Sequence, residues 1–143
     1  MIRVIVNGSE GKVGREIVKA LKIDKELELV GQTDINDNLE ECINSNKSNV
    51  VIDFTHPKAV YKNTETIILN KCNAVIGTTG ITPEQRVKLE TMAVKNNVGI
   101  LIAPNFCIGA VLMMKFAAEA AKYMPNVEII EYHHDQKADS PSG

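Results

Sequence analysis

Residues 1–21 read MIRVIVNGSEGKVGREIVKAL, and three signals follow one another within them. Residues 2–6 form a β-rich run that is apolar on both faces, as a central parallel strand must be. Gly8, Gly11 and Gly14 then punctuate the turn Gly8-Ser9-Glu10-Gly11-Lys12-Val13-Gly14. From Lys12 onward, Val13, Ile17, Val18 and Leu21 recur at spacings of four, one and three, which is one face of a helix. A strand passing through a glycine-rich turn into a helix is the opening of a βαβ unit.

The same alternation continues outward from this unit. Residues 27–33 read as a second strand, followed by a short helix over 39–44, a third strand over 50–54 and a fourth over 74–76. Pro57 is placed in the first turn of a helix carrying Val60, Ile67 and Ile68, which stops at the polar break 70–73. Thr82, Pro83 and Gln85 make an N-cap, a first-position proline and a capping box for a helix ending near Asn97. A fifth strand is expected over 99–103, an amphipathic or fully buried helix over 108–123, and a last strand over 127–132. The fold class that follows is α/β, a Rossmann-type doubly wound parallel sheet.

Composition bounds what such a chain does. With 143 residues, 44% of them apolar, there is enough core for one folded domain, and disorder is excluded for most of the length. Sixteen Lys plus Arg against 18 Asp plus Glu leave no broad basic field, so neither a nucleic-acid duplex nor an acidic membrane is an expected partner. The first residues lack the basic and apolar regions of a signal peptide, and no run reaches the roughly 18 apolar residues of a membrane span, so a cytoplasmic location is expected. Cys42, Cys72 and Cys107 are widely spaced with no CxxC pair, which points to free buried thiols and to no metal site.

The glycine turn is the first candidate site. Glycines let a backbone approach a pyrophosphate, the helix start offers free N–H groups and about half a positive charge, and Lys12 adds a point charge. The spacing is GxxGxxG, where the usual fingerprint is GxGxxG. Asp34 follows the second strand, twenty residues after Gly14, where a carboxylate accepts hydrogen bonds from an adenosine ribose; a turn aspartate is the alternative. No Arg or Lys follows it closely, which favours NADH over NADPH. Two further strand ends open on the same edge. Gly77-Thr78-Thr79-Gly80 offers small residues, hydroxyls and amides, and Ala103-Pro104-Asn105-Phe106 offers an amide side chain and an aromatic wall for a nicotinamide.

A third group lies in residues 128–143, EIIEYHHDQKADSPSG. Adjacent strand residues face opposite ways, so His133 and His134 are poorly placed to chelate one metal but suit two parts of one anionic substrate. A histidine passes a proton near neutrality, and Lys137 donates one or holds a carboxylate. Residues 140–143 suit an anion nest, and the whole segment equally suits a solvated loop.

Taken together, the GxxGxxG turn, Asp53-Phe54-Thr55 with Pro57, Gly77-Thr78-Thr79-Gly80, Pro104-Asn105-Phe106 with Ile108-Gly109, and above all EIIEYHHDQKADSPSG closely resemble the bacterial dihydrodipicolinate reductase family, nearly end to end. The resemblance implies hydride transfer from NADH or NADPH to a cyclic dicarboxylate in the diaminopimelate route to lysine. It also implies site roles: Gly8, Ser9, Glu10, Gly11, Lys12 and Val13 at the pyrophosphate, Asp34 at the ribose, and Gly77, Thr78, Thr79, Ala103, Pro104, Asn105 and Phe106 at the nicotinamide half. By the same resemblance His133 is the proton donor and acceptor, Lys137 the second acid, and His134 and Gly143 contact the substrate. A homotetramer is implied for the family.

Three departures stand out: Glu10 inside the phosphate turn, Cys107 where the family has a hydroxyl residue, and Ala110-Val111 where a polar Asn is expected. The family also continues past this glycine into most of a second domain. Residues 1–125 are therefore expected to be the dinucleotide domain and 126–143 the beginning of a substrate domain, in an interrupted chain. The alternative function is a non-catalytic dinucleotide-binding module. A different Rossmann oxidoreductase is disfavoured by HHxxK followed by PSG.

Overall fold

β1 (Ile2–Asn7) lies inside the sheet, and its side chains divide between two cores. Val4 and Val6 face one side, where they meet Val18 and Leu21 of α1 (Lys12–Ile23). Ile5 faces the other, against Ile43 of α2 (Leu39–Asn46), Val51 of β3 (Val50–Asp53) and Val60 and Ile67 of α3 (Val60–Leu69). Ile5, Val51 and Ile67 are wholly buried, each contributing roughly 1.5–3 kcal/mol of transfer free energy. A strand with water on neither face is apolar on both, which is why Val4, Ile5 and Val6 show no alternation, whereas Arg3, nearer the strand's start, is half-buried and bonds to Glu28 and the Asn46 carbonyl. The structure is a computed structural model that describes residues 1–103, 105–124 and 126–130.

Five parallel strands form one sheet in the order β2-β1-β3-β4-β5, with β2 at Leu27–Thr33, β4 at Asn73–Ile76 and β5 at Ile100–Ile102. Because β2 and β3 flank β1 on opposite sides, the chain reverses direction there, and the loops leaving β1 and β3 part to open a crevice. α4 (Pro83–Asn96) packs Leu89 and Ala93 against Ile68 of α3. Its start has the expected capping box: the Gln85 amide donates to Thr82 Oγ1 at 3.3 Å and the Thr82 amide to Gln85 Oε1 at 3.0 Å.

Several boundaries differ from the sequence expectation. The third strand stops at Asp53; Phe54 still donates its amide to the Asn7 carbonyl at 2.9 Å, but the chain then leaves the ladder. Pro57 sits in a turn, not in the first turn of the helix. That turn closes through the Ala59 and Val60 amides on the His56 carbonyl, and α3 begins at Val60. Cys42 is half-buried and Cys72 buried, with burial pushing both thiols up, whereas Cys107 is exposed.

The chain divides into two compact units, Met1–Ala103 and a second that opens at Pro104. The second holds α5 (Ile108–Ala120), expected to be amphipathic or fully buried; it is mostly apolar, with Lys115 and Glu119 its charged residues, yet none of its residues is buried. The last expected strand is also corrected, since residues 126–130 carry no ladder and a strand exists only through a hydrogen-bonded neighbour. Its end, Glu131 and Tyr132, lies outside the described residues.

Candidate functional site at the carboxyl edge of the sheet

Gly8 follows β1 directly and has φ +82°, a left-handed conformation that favours glycine. A Cβ there would overlap the Phe54 carbonyl, and one at Gly14 would overlap the Gly8 carbonyl, so both positions exclude any side chain. The turn is tied to the end of β2, because the Gly8 and Ser9 amides donate to the Thr33 carbonyl at 2.8 and 3.1 Å. Gly8 and Ser9 are buried, while Glu10, Gly11, Lys12 and Val13 are exposed. Gly11 is the N-cap of α1 and provides no side-chain cap, and the first turn carries no acidic residue. The leading N–H groups of α1 therefore remain available to an anion, with the positive end of the helix dipole behind them.

Asp34 closes the turn from the β2 side. Its Oδ2 accepts the Glu10 amide at 3.0 Å and its Oδ1 the Ile35 amide at 2.9 Å. A carboxylate has about four acceptor positions, so each oxygen keeps room for a ligand hydroxyl. The Glu10 departure is resolved in the same contact: its backbone holds Asp34 while the residue as a whole is exposed.

These pieces form a cavity of about 340 Å³ at the reversal point. Asn7, Gly8 and Gly11 line it from β1 and its turn, Asp34, Ile35, Asp37 and Leu39 from beyond β2, and Phe54, Thr55, His56, Ala59 and Asn63 from beyond β3. The contribution from beyond β3 was missed as part of the candidate site, although the rule that places ligands beyond strand ends applies to Phe54, Thr55 and His56 as it does to Gly8. Among the described residues neither Lys nor Arg lines this cavity.

The glycine-threonine segment follows β4, one strand further along. A Cβ on Gly77 would overlap the Phe54 ring, so the ring that this glycine admits in the structure is a protein side chain. Thr78 is buried and its hydroxyl is used internally, donating to Asp53 Oδ1 at 2.6 Å and accepting the Thr55 amide at 2.7 Å. Thr79 is half-buried. Ala103 follows β5 and donates its amide to the Ile76 carbonyl at 3.0 Å. In the second unit Asn105 Oδ1 accepts the Cys107 amide at 2.8 Å, and Phe106 is exposed. Pro104, His133, His134, Lys137 and Gly143 lie outside the described residues. Among the described residues no group of three or more His, Cys, Asp or Glu side chains could hold a metal ion. No helix among them is long and apolar enough to cross a membrane.

Comparison with known proteins adds to this geometry. Residues 2–106 match the family model described as dihydrodipicolinate reductase, N-terminus, and residues 109–143 the one described as dihydrodipicolinate reductase, C-terminus. The chain is 48% identical to 4-hydroxy-tetrahydrodipicolinate reductase from Listeria monocytogenes (strain EGD-e), over 99% of this chain and 62% of that protein. It is 49% identical to the same-named enzyme of Coxiella burnetii (strain CbuG_Q212), over 99% of this chain and 59% of that one. It thus spans about three fifths of the length of these relatives. Among solved structures it is similar to the dipicolinate-bound dihydrodipicolinate reductase from Paenisporosarcina sp. TG-14, with TM-score 0.82 and 42% identity over 100% of this chain and 62% of that one. Homoserine dehydrogenase from S. aureus, at 14% identity and TM-score 0.61 over 72% of this chain and 32% of that one, shares the fold alone.

Proposed function

The chain belongs to the dihydrodipicolinate reductase family, and on that premise we propose that it reduces 4-hydroxy-tetrahydrodipicolinate to tetrahydrodipicolinate with NADH or NADPH, one hydride and one proton being taken up and the 4-hydroxyl leaving as water. The reaction serves the diaminopimelate route to lysine, in the cytoplasm, and the full family protein works as a homotetramer. The observation that carries the reading is the crevice at the sheet's reversal point, where a side-chain-free turn, an uncapped helix start and the Asp34 carboxylate converge.

The residues present fit a dinucleotide. The positions where a Cβ would strike backbone keep the turn close enough for its amides to reach a pyrophosphate, and the free acceptor positions of Asp34 suit a ribose diol. NADH is favoured because, among the described residues, Asp34 and Asp37 line the cavity while no Lys or Arg does, so a ribose phosphate would meet two carboxylates and little to pair with except Lys12. The bound nicotinamide supplies the hydride. Gly8 to Val13 hold the pyrophosphate, and residues 77–79 and 103–106 the nicotinamide half. Hydride addition builds negative charge that a positioned acid must quench; His133 donates that proton and Lys137 acts as the second acid, an effect worth roughly 10²- to 10⁴-fold in rate. His134 and the amide of Gly143 hold the substrate carboxylates, for which the dipicolinate in the Paenisporosarcina structure is a chemical precedent.

The test combines aspartate semialdehyde, pyruvate, the synthase that precedes this step and the chain, and follows NADH and NADPH absorbance beside direct nucleotide titrations. Oxidation of NADH faster than NADPH is expected. Tight NADH binding with no oxidation would reassign the chain as a non-catalytic dinucleotide-binding module.

A further inference from the structure

Asp53 is a carboxylate with no exposure to solvent, at the end of a central strand, and the proposed chemistry gives it no part. Among the described residues no cation bonds to it. Its Oδ2 accepts Asn7 Nδ2 at 2.7 Å and Asn63 Nδ2 at 3.0 Å. Its Oδ1 accepts the Thr78 hydroxyl at 2.6 Å, the Thr55 hydroxyl at 2.9 Å and the Thr55 amide at 3.3 Å. Five neutral donors fill the roughly four acceptor positions of one carboxylate, which is how a buried charge without a counter-ion is made tolerable. The network extends further, since Asn7 Oδ1 accepts the Thr33 hydroxyl at 2.9 Å.

The location of these partners gives the network its meaning. Thr33 ends β2 and precedes Asp34, Asn7 ends β1 and precedes Gly8, Thr55 follows β3, and Thr78 lies in the segment after β4. One carboxylate therefore sits beneath four successive loops on the edge where the dinucleotide is proposed to lie. Parallel strands fix their own register, but they do not fix the loops that leave them. Those loops depend on bonds such as Thr78 to Asp53 and Thr55 to Thr78.

We propose that Asp53 is a positioning residue that locks the Gly77–Thr79 segment to the Gly8 turn, so that both halves of a dinucleotide are held at one fixed separation. Resting on the nucleotide reading above, the inference assigns to Asp53 no contact with the cofactor. It acts through Thr78 and Asn7, and Thr78 in turn contributes its backbone to the ligand, because both functions of its hydroxyl are used by protein.

AMP spans only the adenosine side, whereas NADH needs both loops, so the two ligands separate a lock from general loosening. Removal of one charge-assisted hydrogen bond in Thr78→Val is expected to weaken NADH about tenfold while AMP stays within about twofold of wild type. Thr78→Ser, which keeps the hydroxyl, is expected to restore NADH binding. Asp53→Asn repeats the loss of NADH over AMP, and the double variant loses no more than the weaker-binding single one, since both cut the same tie. If Thr78→Val does not fold, Thr78→Ala, which adds no bulk, is read in its place. Unchanged NADH affinity, equal losses for NADH and AMP, or additive losses in the double variant overturn the lock. Failure of the wild-type chain to bind NADH overturns the nucleotide reading itself, a result distinct from all of these.

Discussion

Asp34 holds two backbone amides in the structure and keeps acceptor positions for two ligand hydroxyls, so under the proposed ribose contact its removal is expected to affect the two cofactors unequally. In that arrangement NADH would lose a hydrogen bond to a charged acceptor, worth about 1.5–3 kcal/mol, or roughly ten- to hundredfold in affinity. NADPH carries a phosphate at that ribose position and gains relief from a nearby carboxylate, which offsets its losses. Asp34→Ala is therefore expected to weaken NADH by about tenfold or more and NADPH far less, in titrations of intrinsic cofactor fluorescence. Equal losses would contradict the NADH preference. The meeting of Asp34 with the glycine turn was legible in the sequence because the strand-turn-helix pattern puts both at the ends of the first two strands of one βαβ unit. Asp53 was not, because in Val50-Val51-Ile52-Asp53 it is only a polar residue ending an apolar run. Its partners Asn7 and Thr78 lie 46 and 25 residues away and are brought to it by the sheet order, while Asn63 arrives from α3.

At the scale of elements, the best-determined boundary is the start of α4. Thr82 and Gln85 satisfy each other's amides, and Pro83 occupies a first-turn position whose N–H would have no helical partner. Thr82→Ala removes the side-chain acceptor and is expected to cost about 1 kcal/mol. A urea melt should show this as a lower midpoint with unchanged slope, since the surface exposed on unfolding is the same. An unchanged midpoint would mean that tertiary packing of Leu89 and Ala93 on Ile68, and not the cap, holds the helix start. α3 shows why other boundaries were less legible. Pro57 at a helix start and Pro57 in a preceding turn leave the same signature in sequence, and the choice rests on the His56 carbonyl accepting both the Ala59 and Val60 amides. α5 marks a second limit, because an apolar run gives a helix but not the surface that covers it.

At the scale of the whole molecule, the proposed pyrophosphate and ribose contacts and the proposed acids fall in different stretches of chain. All five strands, the cavity at the reversal point and the Asp53 network belong to Met1–Ala103. The proposed acids stand in the segment His133-His134-Asp135-Gln136-Lys137, beyond that unit. A group that acts only where charge develops during hydride transfer lowers kcat without altering the ground-state affinity for the cofactor. In a polypeptide that turns over substrate, His133→Ala and Lys137→Ala are therefore each expected to lower kcat by roughly 10²- to 10⁴-fold while NADH affinity stays close to wild type. Steady-state rates and NADH fluorescence titrations on the same preparations check both quantities. The contrast with Thr78→Val gives the pair its force, because that variant is expected to weaken NADH binding from within the first unit. Near-normal turnover in both His133→Ala and Lys137→Ala would remove the acids from the reaction. A loss of NADH affinity parallel to kcat would instead place the two residues in the nucleotide site.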